Sequence, residues 1–282
     1  MTDAPRACVI GWPIAHSRSP MIHGYWLAQH GIAGSYGKTA VHPDDLGAFM
    51  QRVRSGEFRG CNVTVPHKEA VMSHLDEITE TARAIGAVNT VWRDDDGRLV
   101  GDNTDARGFL SNLDELVPGW DKAPLRAVVL GAGGAARALA YGLAGRGAER
   151  ITLLNRSLDR AIALAGDIGG VVQARPLDEA GPAMADATLL ANATSLGMTG
   201  KDPLDLDLDA LPLDAVVSDI VYVPLETDLL RQAAMRGHRT AEGLGMLLHQ
   251  AVPGFERWFG TRPAVDPRLR SLVEADIRSA LP

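Results

Sequence analysis

Residues 127–136 read Ala-Val-Val-Leu-Gly-Ala-Gly-Gly-Ala-Ala, an apolar run followed by a glycine-rich turn and an alanine-rich segment. The apolar run predicts a buried strand, and the alanines after the turn predict a helix. Gly131, Gly133 and Ala136 have the spacing that lets a backbone turn sharply and approach a pyrophosphate, whose charge the helix N-terminus stabilises. The same glycines would serve a tight turn that binds nothing, but the strand-to-helix context favours a dinucleotide. We expect cofactor contacts from Gly131, Gly133, Gly134 and Ala135.

The end of the next predicted strand indicates which dinucleotide is bound. Where an acidic residue usually binds the ribose 2′-hydroxyl of NAD, this chain has Asn155-Arg156-Ser157, followed by Arg160. Two guanidinium groups with amide and hydroxyl donors beside them suit a 2′-phosphate, since each charge-assisted hydrogen bond contributes about 1.5–3 kcal/mol. Asp159 would favour NAD, although an acid in the first turn of a helix also simply complements the helix dipole. The sequence therefore predicts NADP as the cofactor.

Strands and helices alternate on both sides of this motif, which predicts an α/β fold with two domains. Downstream, the alternation is that of a doubly wound, Rossmann-type sheet, and we assign residues 105–244 to this NADP-binding domain. Upstream, residues 1–104 carry a second α/β pattern. We expect it to form a substrate-binding and catalytic domain that the C-terminal helices, within residues 245–282, complete.

Composition and charge exclude several classes of protein. The chain has 282 residues, of which 46% are hydrophobic and 22% charged, and a formal net charge of −7. An acidic surface argues against nucleic acid and anionic membranes as partners. The sequence shows no signal-type apolar core and no apolar run of about 18 residues, so we expect a cytoplasmic protein. Cys8 and Cys61 lie in apolar runs without metal-ligand spacing, so we expect buried reduced thiols and no metal site.

A lysine after an upstream strand is the first candidate for chemistry. The stretch Asn62-Val63-Thr64-Val65-Pro66-His67-Lys68 places it where a strand over residues 60–65 should give way to a helix over residues 67–75. Gly101-Asp102-Asn103-Thr104-Asp105, further along, presents a carboxylate that could hold and orient an ammonium group. A lone lysine is more often an ordinary surface residue. Together with the dinucleotide turn, however, Lys68 and Asp105 indicate an oxidoreductase in which the lysine donates a proton.

A loop with two hydroxyl groups follows the first predicted strand. Ser17 and Ser19 stand in this loop, immediately before a predicted helix over residues 19–30. Such a loop can bind a carboxylate. Taken alone, Ser19 is more simply the N-cap of that helix, with Pro20 at its first position.

The motifs together resemble those of the shikimate dehydrogenase family, in order and over nearly the whole chain. They are GWPIAHSRSPMIH (11–23), NVTVPHK (62–68), GAVNT (86–90), GDNTD (101–105), GAGGAAR (131–137), NRS (155–157), NATSLGM (192–198) and EGLGMLLHQA (242–251). The resemblance implies NADP-dependent interconversion of 3-dehydroshikimate and shikimate, within the biosynthesis of chorismate and aromatic amino acids. The partners would be these small molecules, and the protein itself would be a monomer or a homodimer.

The resemblance also implies roles for individual residues. Ser17 and Ser19 would bind the substrate carboxylate, and Lys68, oriented by Asp105, would exchange the proton. The hydrogen bonds to the ring hydroxyls would come from Thr64, Asn89, Asp105 and Gln250. Tyr222 would lie where the nicotinamide meets the substrate. Further cofactor contacts would come from Thr194, Ser195, Met198, Gly243 and Met246.

Two departures from the family pattern leave other functions open. Gly24 follows His23 where the family often has an amide, and Val223 interrupts the Tyr-Asn-Pro often found at the later motif. A related enzyme that accepts quinate or NAD would fit these departures. A sensor that binds NADPH without turnover is a third reading, although such a protein would have no need of both Lys68 and Asp105.

Overall fold

The computed structural model describes residues 4–122 and 124–280, which form two compact units. The first unit comprises the chain up to Thr104 together with Gln250–Val273, and the second comprises Asp105–His249 and the chain from Glu274 onward. The two units are described one at a time below.

The first unit is built on a mixed sheet. Its strands are β1 (Arg6–Gly11), β2 (Ser35–Ala40), β3 (Gly60–Val63), β4 (Glu77–Ile78), β5 (Thr90–Arg93) and β6 (Leu99–Asp102). They lie in the order β2-β1-β3-β5-β6-β4. Strands β1, β2 and β3 run parallel, β5 runs antiparallel to its neighbours β3 and β6, and β4 is parallel to β6. The carboxyl ends of β1, β3 and β6 therefore meet at one edge of the sheet, together with the amino end of β5.

The helices of this unit correct two expectations. They are α1 (Ser19–Gln29), α2 (Leu46–Arg54) and α3 (Glu80–Ile85), with 3₁₀ turns at Pro43–Asp45 and Ala70–His74. Arg18, not Ser19, occupies the N-cap of α1, because the helical conformation already includes the serine. The α-helix expected over residues 67–75 is wrong as well: the chain turns after β3 and forms only the short 3₁₀ segment.

The second unit is built on a fully parallel sheet. Its strands are β7 (Arg126–Leu130), β8 (Arg150–Asn155), β9 (Val172–Pro176), β10 (Leu189–Asn192), β11 (Val216–Asp219) and β12 (Arg239–Ala241). Their order is β12-β11-β10-β7-β8-β9, which in sequence order is the 3-2-1-4-5-6 arrangement of a doubly wound fold. The predicted α/β fold class is confirmed. The order reverses direction between β7 and β10, and crevices at such switch points are where doubly wound sheets bind ligands.

The helices of the second unit follow the expected alternation. They are α4 (Asp105–Leu116), α5 (Gly134–Gly145), α6 (Leu158–Ile168), α7 (Ala180–Met184) and α8 (Asp228–Met235). The last two helices are α9 (Leu244–Phe259) and α10 (Pro267–Ser279), and each has part of its length in either unit.

Separate apolar cores support the sheets. One core of the second unit packs α4, α5 and α6 against the sheet and includes Phe109, Leu139 and Leu164. The other lies beneath an extended segment over residues 203–211, in which Leu204, Leu206, Leu208 and Leu211 are buried. The first unit has its own core, to which Cys8 and Cys61 belong. Both cysteines are buried and unbridged, as expected.

None of the helices in the described part of the chain combines the length and the apolar character that crossing a membrane requires.

Candidate functional site

Topology gathers most of the predicted substrate residues of the first unit at one edge of its sheet. Ser17 and Ser19 follow β1, Thr64 and Lys68 follow β3, and Asn89 precedes β5. Thr104, to which the sequence assigned no role, follows β6. Because β5 runs against its neighbours, the residue before it lies at the same edge as the residues after the others. Residues that are up to 87 positions apart in sequence thus meet on one surface, counting from Ser17 to Thr104.

The loop that carries Lys68 is held by backbone hydrogen bonds on both sides. The Thr64 amide donates to the Ile10 carbonyl at 3.0 Å, and the Val88 amide donates to the Lys68 carbonyl at 2.8 Å. His67 is buried, with its Nε2 2.8 Å from the Val41 carbonyl oxygen. A carbonyl only accepts, so Nε2 must carry a proton there. The lysine side chain, which is half-buried, therefore leaves from a fixed backbone position.

Hydrogen bonds to Asn89 hold the end of β6 at the same edge of the sheet. Its buried side-chain oxygen accepts hydrogen bonds from the Thr104 amide at 2.9 Å and from the Thr90 hydroxyl at 2.9 Å. The Thr104 hydroxyl, in turn, donates to the Gln250 carbonyl at 2.8 Å. Asn89, Thr104 and Gln250 are thus brought together within the first unit. Asp105, the next residue of the chain, is buried and begins α4.

Sequence reasoning gave no role to a polar pair beneath this edge. The buried Asn62 donates from its side chain to the Asn89 carbonyl at 3.2 Å, and it accepts a hydrogen bond from the Tyr36 hydroxyl at 2.6 Å. The signal was present, since Asn62 is the polar residue of the otherwise apolar strand β3. Its partners were not predictable, because they come from strands on either side of β3.

The serine loop is compact and close to the end of β3. The Ser19 amide donates to the Ser17 hydroxyl oxygen at 3.3 Å, and the two hydroxyl oxygens are also 3.3 Å apart. A β-carbon on Gly11 would come within 2.7 Å of the Thr64 methyl group. The loops after β1 and β3 therefore touch, and only glycine fits at the point of contact.

In the second unit, the glycine turn lies at the switch point of the sheet. Gly131 has a φ of +111°, and a β-carbon there would approach the Thr194 methyl group to 3.1 Å. The turn after β7 and the loop after β10, both predicted to bind cofactor, are therefore in contact. Beyond it, Gly133 and Gly134 have open space where a side chain would stand. Among the residues that the structure describes, no side chain caps the N-terminus of α5, so its first amides remain available to an anion.

The residues after β8 suit a phosphate. Asn155 folds back so that its side-chain amide donates to the Ser157 carbonyl at 2.8 Å. Arg156 and Arg160 are exposed, and neither forms an ion pair with a carboxylate within residues 4–122 and 124–280. Asp159 is exposed in the first turn of α6. The open glycine turn and the two guanidinium groups together fit a dinucleotide that carries a 2′-phosphate.

A buried carboxylate, which sequence reasoning missed, organises the loops beyond β10 and β11. Asp219 accepts hydrogen bonds from the Asn192 side chain and the Val221 amide, each at 3.0 Å, and from the Thr227 hydroxyl at 2.7 Å. Burial raises the pKa of the Asp219 carboxyl above its usual range. Asn192 links Asp219 to Thr194, because its side-chain oxygen accepts a hydrogen bond from the Thr194 hydroxyl at 2.7 Å. These hydrogen bonds therefore fix the loop that carries Thr194.

The remaining predicted cofactor residues differ in their surroundings. Ser195 is exposed, while Met198 and Tyr222 are half-buried in the loops after β10 and β11. Gly243 is buried, and a β-carbon there would lie 2.3 Å from the Ile220 carbonyl oxygen, so close backbone packing alone requires glycine. Met246 belongs to the apolar core of the second unit.

The parallel sheet and its open glycine turn define a two-unit α/β protein with a Rossmann-type dinucleotide-binding fold. Family models match in chain order: the shikimate dehydrogenase substrate binding domain over residues 9–91, shikimate/quinate 5-dehydrogenase over 119–198, and the shikimate 5′-dehydrogenase C-terminal domain over 243–267. The chain belongs to the shikimate dehydrogenase family, and the resemblance seen in its motifs is confirmed.

Individual relatives resemble the chain over nearly its full length. Shikimate dehydrogenase (NADP⁺) of Methylocella silvestris is 56% identical over 278 residues, which are 99% of each chain. A Thermus thermophilus shikimate 5-dehydrogenase, solved in complex with NADP(H) and shikimate, is 40% identical with a TM-score of 0.85 and covers 98% of this chain and 100% of its own. Quinate dehydrogenase of Corynebacterium glutamicum, solved with NAD, is 32% identical with a TM-score of 0.89, over 96% and 99% of the two chains.

Proposed function

We propose that this protein is a cytoplasmic NADP-dependent shikimate dehydrogenase, which reversibly reduces 3-dehydroshikimate to shikimate in the biosynthesis of chorismate and aromatic amino acids. The observation that carries the proposal is the sheet edge of the first unit, where Lys68, Thr64 and Asn89 stand on hydrogen-bonded loops. The names of the relatives, at about 55% identity over the whole chain, support the same reaction.

In this proposal the first unit binds the substrate. Ser17 and Ser19 donate hydrogen bonds to its carboxylate from the loop before α1. The ring hydroxyls bind to Thr64, Asn89, Asp105 and Gln250. A ring with neighbouring hydroxyl groups offers donors and acceptors to each of them, so an analogue that lacks one hydroxyl would leave a buried partner unpaired. Tyr222 is assigned to substrate binding as well.

The proton is assigned to Lys68. Bound NADPH would supply the hydride that the carbonyl carbon of the substrate receives. As the carbon–oxygen π bond breaks, the oxygen takes the electron pair and accepts a proton from the Lys68 ammonium. In the reverse direction the lysine takes that proton back from the hydroxyl group. Asp105 orients the ammonium group for both steps.

The second unit would hold the cofactor. At the start of α5, Gly131, Gly133, Gly134 and Ala135 would hold the pyrophosphate, and after β8 the 2′-phosphate would be held by Asn155, Arg156, Ser157 and Arg160. Thr194, Ser195, Met198, Gly243 and Met246 would make the further contacts to the cofactor. We also propose that the functional domains are 1–104, completed by 245–282, and 105–244.

The test is absorbance of the reduced nicotinamide with purified protein, using shikimate or quinate with NADP or NAD in all four combinations. The proposal requires a strong signal with shikimate and NADP. A signal chiefly with quinate or with NAD would instead assign the chain a related specificity. Silence in all four combinations, in a protein that still binds NADPH, would indicate a sensor.

A further inference from the structure

Three arginines stand in one row at the opposite edge of the first sheet. Arg6 begins β1, Arg59 directly precedes β3, and Arg93 ends β5. The Arg59 amide donates to the Arg6 carbonyl at 2.7 Å, and the Arg93 amide donates to the Arg59 carbonyl at 2.9 Å. The registers of β1 with β3 and of β3 with β5 place the three residues opposite one another. Neighbouring strands are about 4.8 Å apart, so the row spans roughly 10 Å.

Such a row is electrostatically unfavourable by itself. Like charges directly opposite each other in a sheet destabilise it, and this protein has a net charge of −7, so cations are the scarcer type. No ion pair joins Arg6, Arg59 or Arg93 to a carboxylate in the described part of the chain. An arrangement of this kind is stabilised when an anion lies across it.

The three arginines line a common cavity of about 820 Å³. Among the described residues of its wall the one acid is Glu57, and both of its oxygens already accept hydrogen bonds from Arg52, at 2.7 and 2.6 Å. Small-molecule sites typically measure about 300–1,000 Å³. The cavity therefore has the size of a ligand site and a surplus of positive charge.

Two of the arginines are held in place. The Arg6 guanidinium lies 5.1 Å from the centre of the Phe58 ring. The Arg52 guanidinium also lies near this ring, 5.3 Å from its centre. Arg93 donates from Nε to the Arg54 carbonyl at 3.2 Å, which leaves its terminal N–H groups for other acceptors. Arg59 is exposed between them. Positioned guanidinium groups lose little entropy when they bind an anion.

We propose that this row, Arg6–Arg59–Arg93, binds a small organic anion that carries two or more phosphate or carboxylate groups. A single phosphate can join two neighbouring guanidinium groups, whereas a row of roughly 10 Å matches a longer, multiply charged molecule. The site is separate from the substrate edge, because the six residues of β1 put about 17 Å between its two ends.

Pyrophosphate is the probe, titrated by calorimetry at constant ionic strength. The protein should carry Gly133→Val, which occupies the space for pyrophosphate at the glycine turn, together with Arg156→Gln and Arg160→Gln, so that the dinucleotide region contributes little binding. We expect this background to bind pyrophosphate and the added change Arg59→Gln to weaken that binding at least tenfold. Arg83→Gln, which changes an exposed arginine on α3 of the same unit, is the matched control and should leave it unchanged. Equal binding with and without Arg59→Gln, or no binding in the background, would overturn the proposal.

Thermal unfolding without ligand gives a second, independent measurement. Relief of repulsion in Arg59→Gln should raise the apparent Tm at low ionic strength by about 1–3 °C, and pyrophosphate should no longer raise it further. A lower Tm for the variant, with an undiminished response to pyrophosphate, would show that the arginine has a purely structural role.

Discussion

At the scale of single residues, Lys68 and Arg156 show how a side chain acquires a chemical role from its position. Lys68 leaves a loop whose backbone is hydrogen-bonded to the neighbouring strands' loops, and Arg156 stands exposed at the carboxyl end of β8. Neither residue type is unusual in itself. What distinguishes them is that each follows a parallel strand at an edge where other polar groups converge.

Lys68→Ala should reduce kcat for shikimate oxidation by about 10²- to 10⁴-fold, because a general acid–base group typically contributes that much. The KM for shikimate should change little, since the other polar residues of the sheet edge remain. Steady-state kinetics in both directions provide the measurement, with Lys122→Ala, an exposed lysine of the second unit, as control. Retained turnover in Lys68→Ala would remove this residue from the mechanism.

Arg156→Gln should raise the KM for NADPH roughly tenfold to a hundredfold, as expected when one charge-assisted hydrogen bond to a phosphate is lost. The KM for NADH should stay nearly constant, because that cofactor has no 2′-phosphate. The control is Arg231→Gln, which changes an exposed arginine paired with Asp228 on α8. If both cofactors respond equally, the guanidinium group recognises something other than the 2′-phosphate.

At the scale of elements, the turn between β7 and α5 is a place where a substitution should weaken cofactor binding without destabilising the fold. A β-carbon at position 133 would meet nothing within 4 Å in this structure, and the residue has an ordinary φ of −98°. We therefore expect Gly133→Val to fold with a nearly unchanged Tm and to raise the KM for NADPH more than tenfold, because the new side chain occupies the space for the pyrophosphate. Gly145→Val, at the other end of the same helix and equally open, is the matched control for kinetics and thermal unfolding.

The loops after β10 and β11 depend on a buried acceptor. Asp219→Ala leaves the Asn192 side chain, the Val221 amide and the Thr227 hydroxyl without their common partner, so the free energy of unfolding should fall by about 2–4 kcal/mol. Asp219→Asn keeps one oxygen and can donate to the Thr227 hydroxyl, so its loss should be smaller. Urea unfolding measures both. Equal losses in the two variants would mean that packing, not hydrogen bonding, is what Asp219 supplies.

Some helices and strands were predicted correctly from sequence and others were not, for a physical reason. The sequence pattern predicts a helix over residues 105–116 and a strand over residues 239–241, and the structure has both with these bounds, because their apolar spacing and flanking residues are local signals. The helix expected after Lys68 is absent, since the chain there turns to meet the neighbouring strands' loops. The acidic, leucine-rich residues 203–214 predict a surface loop or a short turn, and the structure has a loop there; what the pattern did not indicate is that this loop buries alternate leucines against the second sheet.

At the scale of the whole molecule, acid stability should depend on one buried histidine. His23 is fully buried among aromatic rings, 3.9 Å from the Tyr36 ring centre and stacked on it, and neither ring nitrogen has a hydrogen-bond partner in residues 4–122 and 124–280. Burial lowers its pKa from the usual 6.5 to about 3. The folded protein therefore binds fewer protons than the unfolded chain between these values, and stability falls as the pH drops from about 6.5 to about 3.

His23→Phe keeps the stacked ring and removes the titrating group. In urea unfolding followed from pH 7 to pH 3, the variant should lose less stability than the parent, by up to about 1.4 kcal/mol for each pH unit below 6.5. His30→Gln changes an exposed histidine at the end of the same helix and should follow the parent curve. Parallel curves for His23→Phe and the parent would show that His23 does not govern the acid response.

The sequence by itself determined the features that are encoded in neighbouring residues: the alternation of strands and helices, the glycine turn at residues 131–134, the arginines after β8 and the family to which the chain belongs. Tertiary structure alone decided the features that depend on strand order and register. The Asn62 and Tyr36 pair, the partners of Asp219 and the Arg6–Arg59–Arg93 row each join residues from different strands or loops. Pairing across a sheet is set by packing over the whole unit, and no short stretch of sequence records which residues will stand opposite one another.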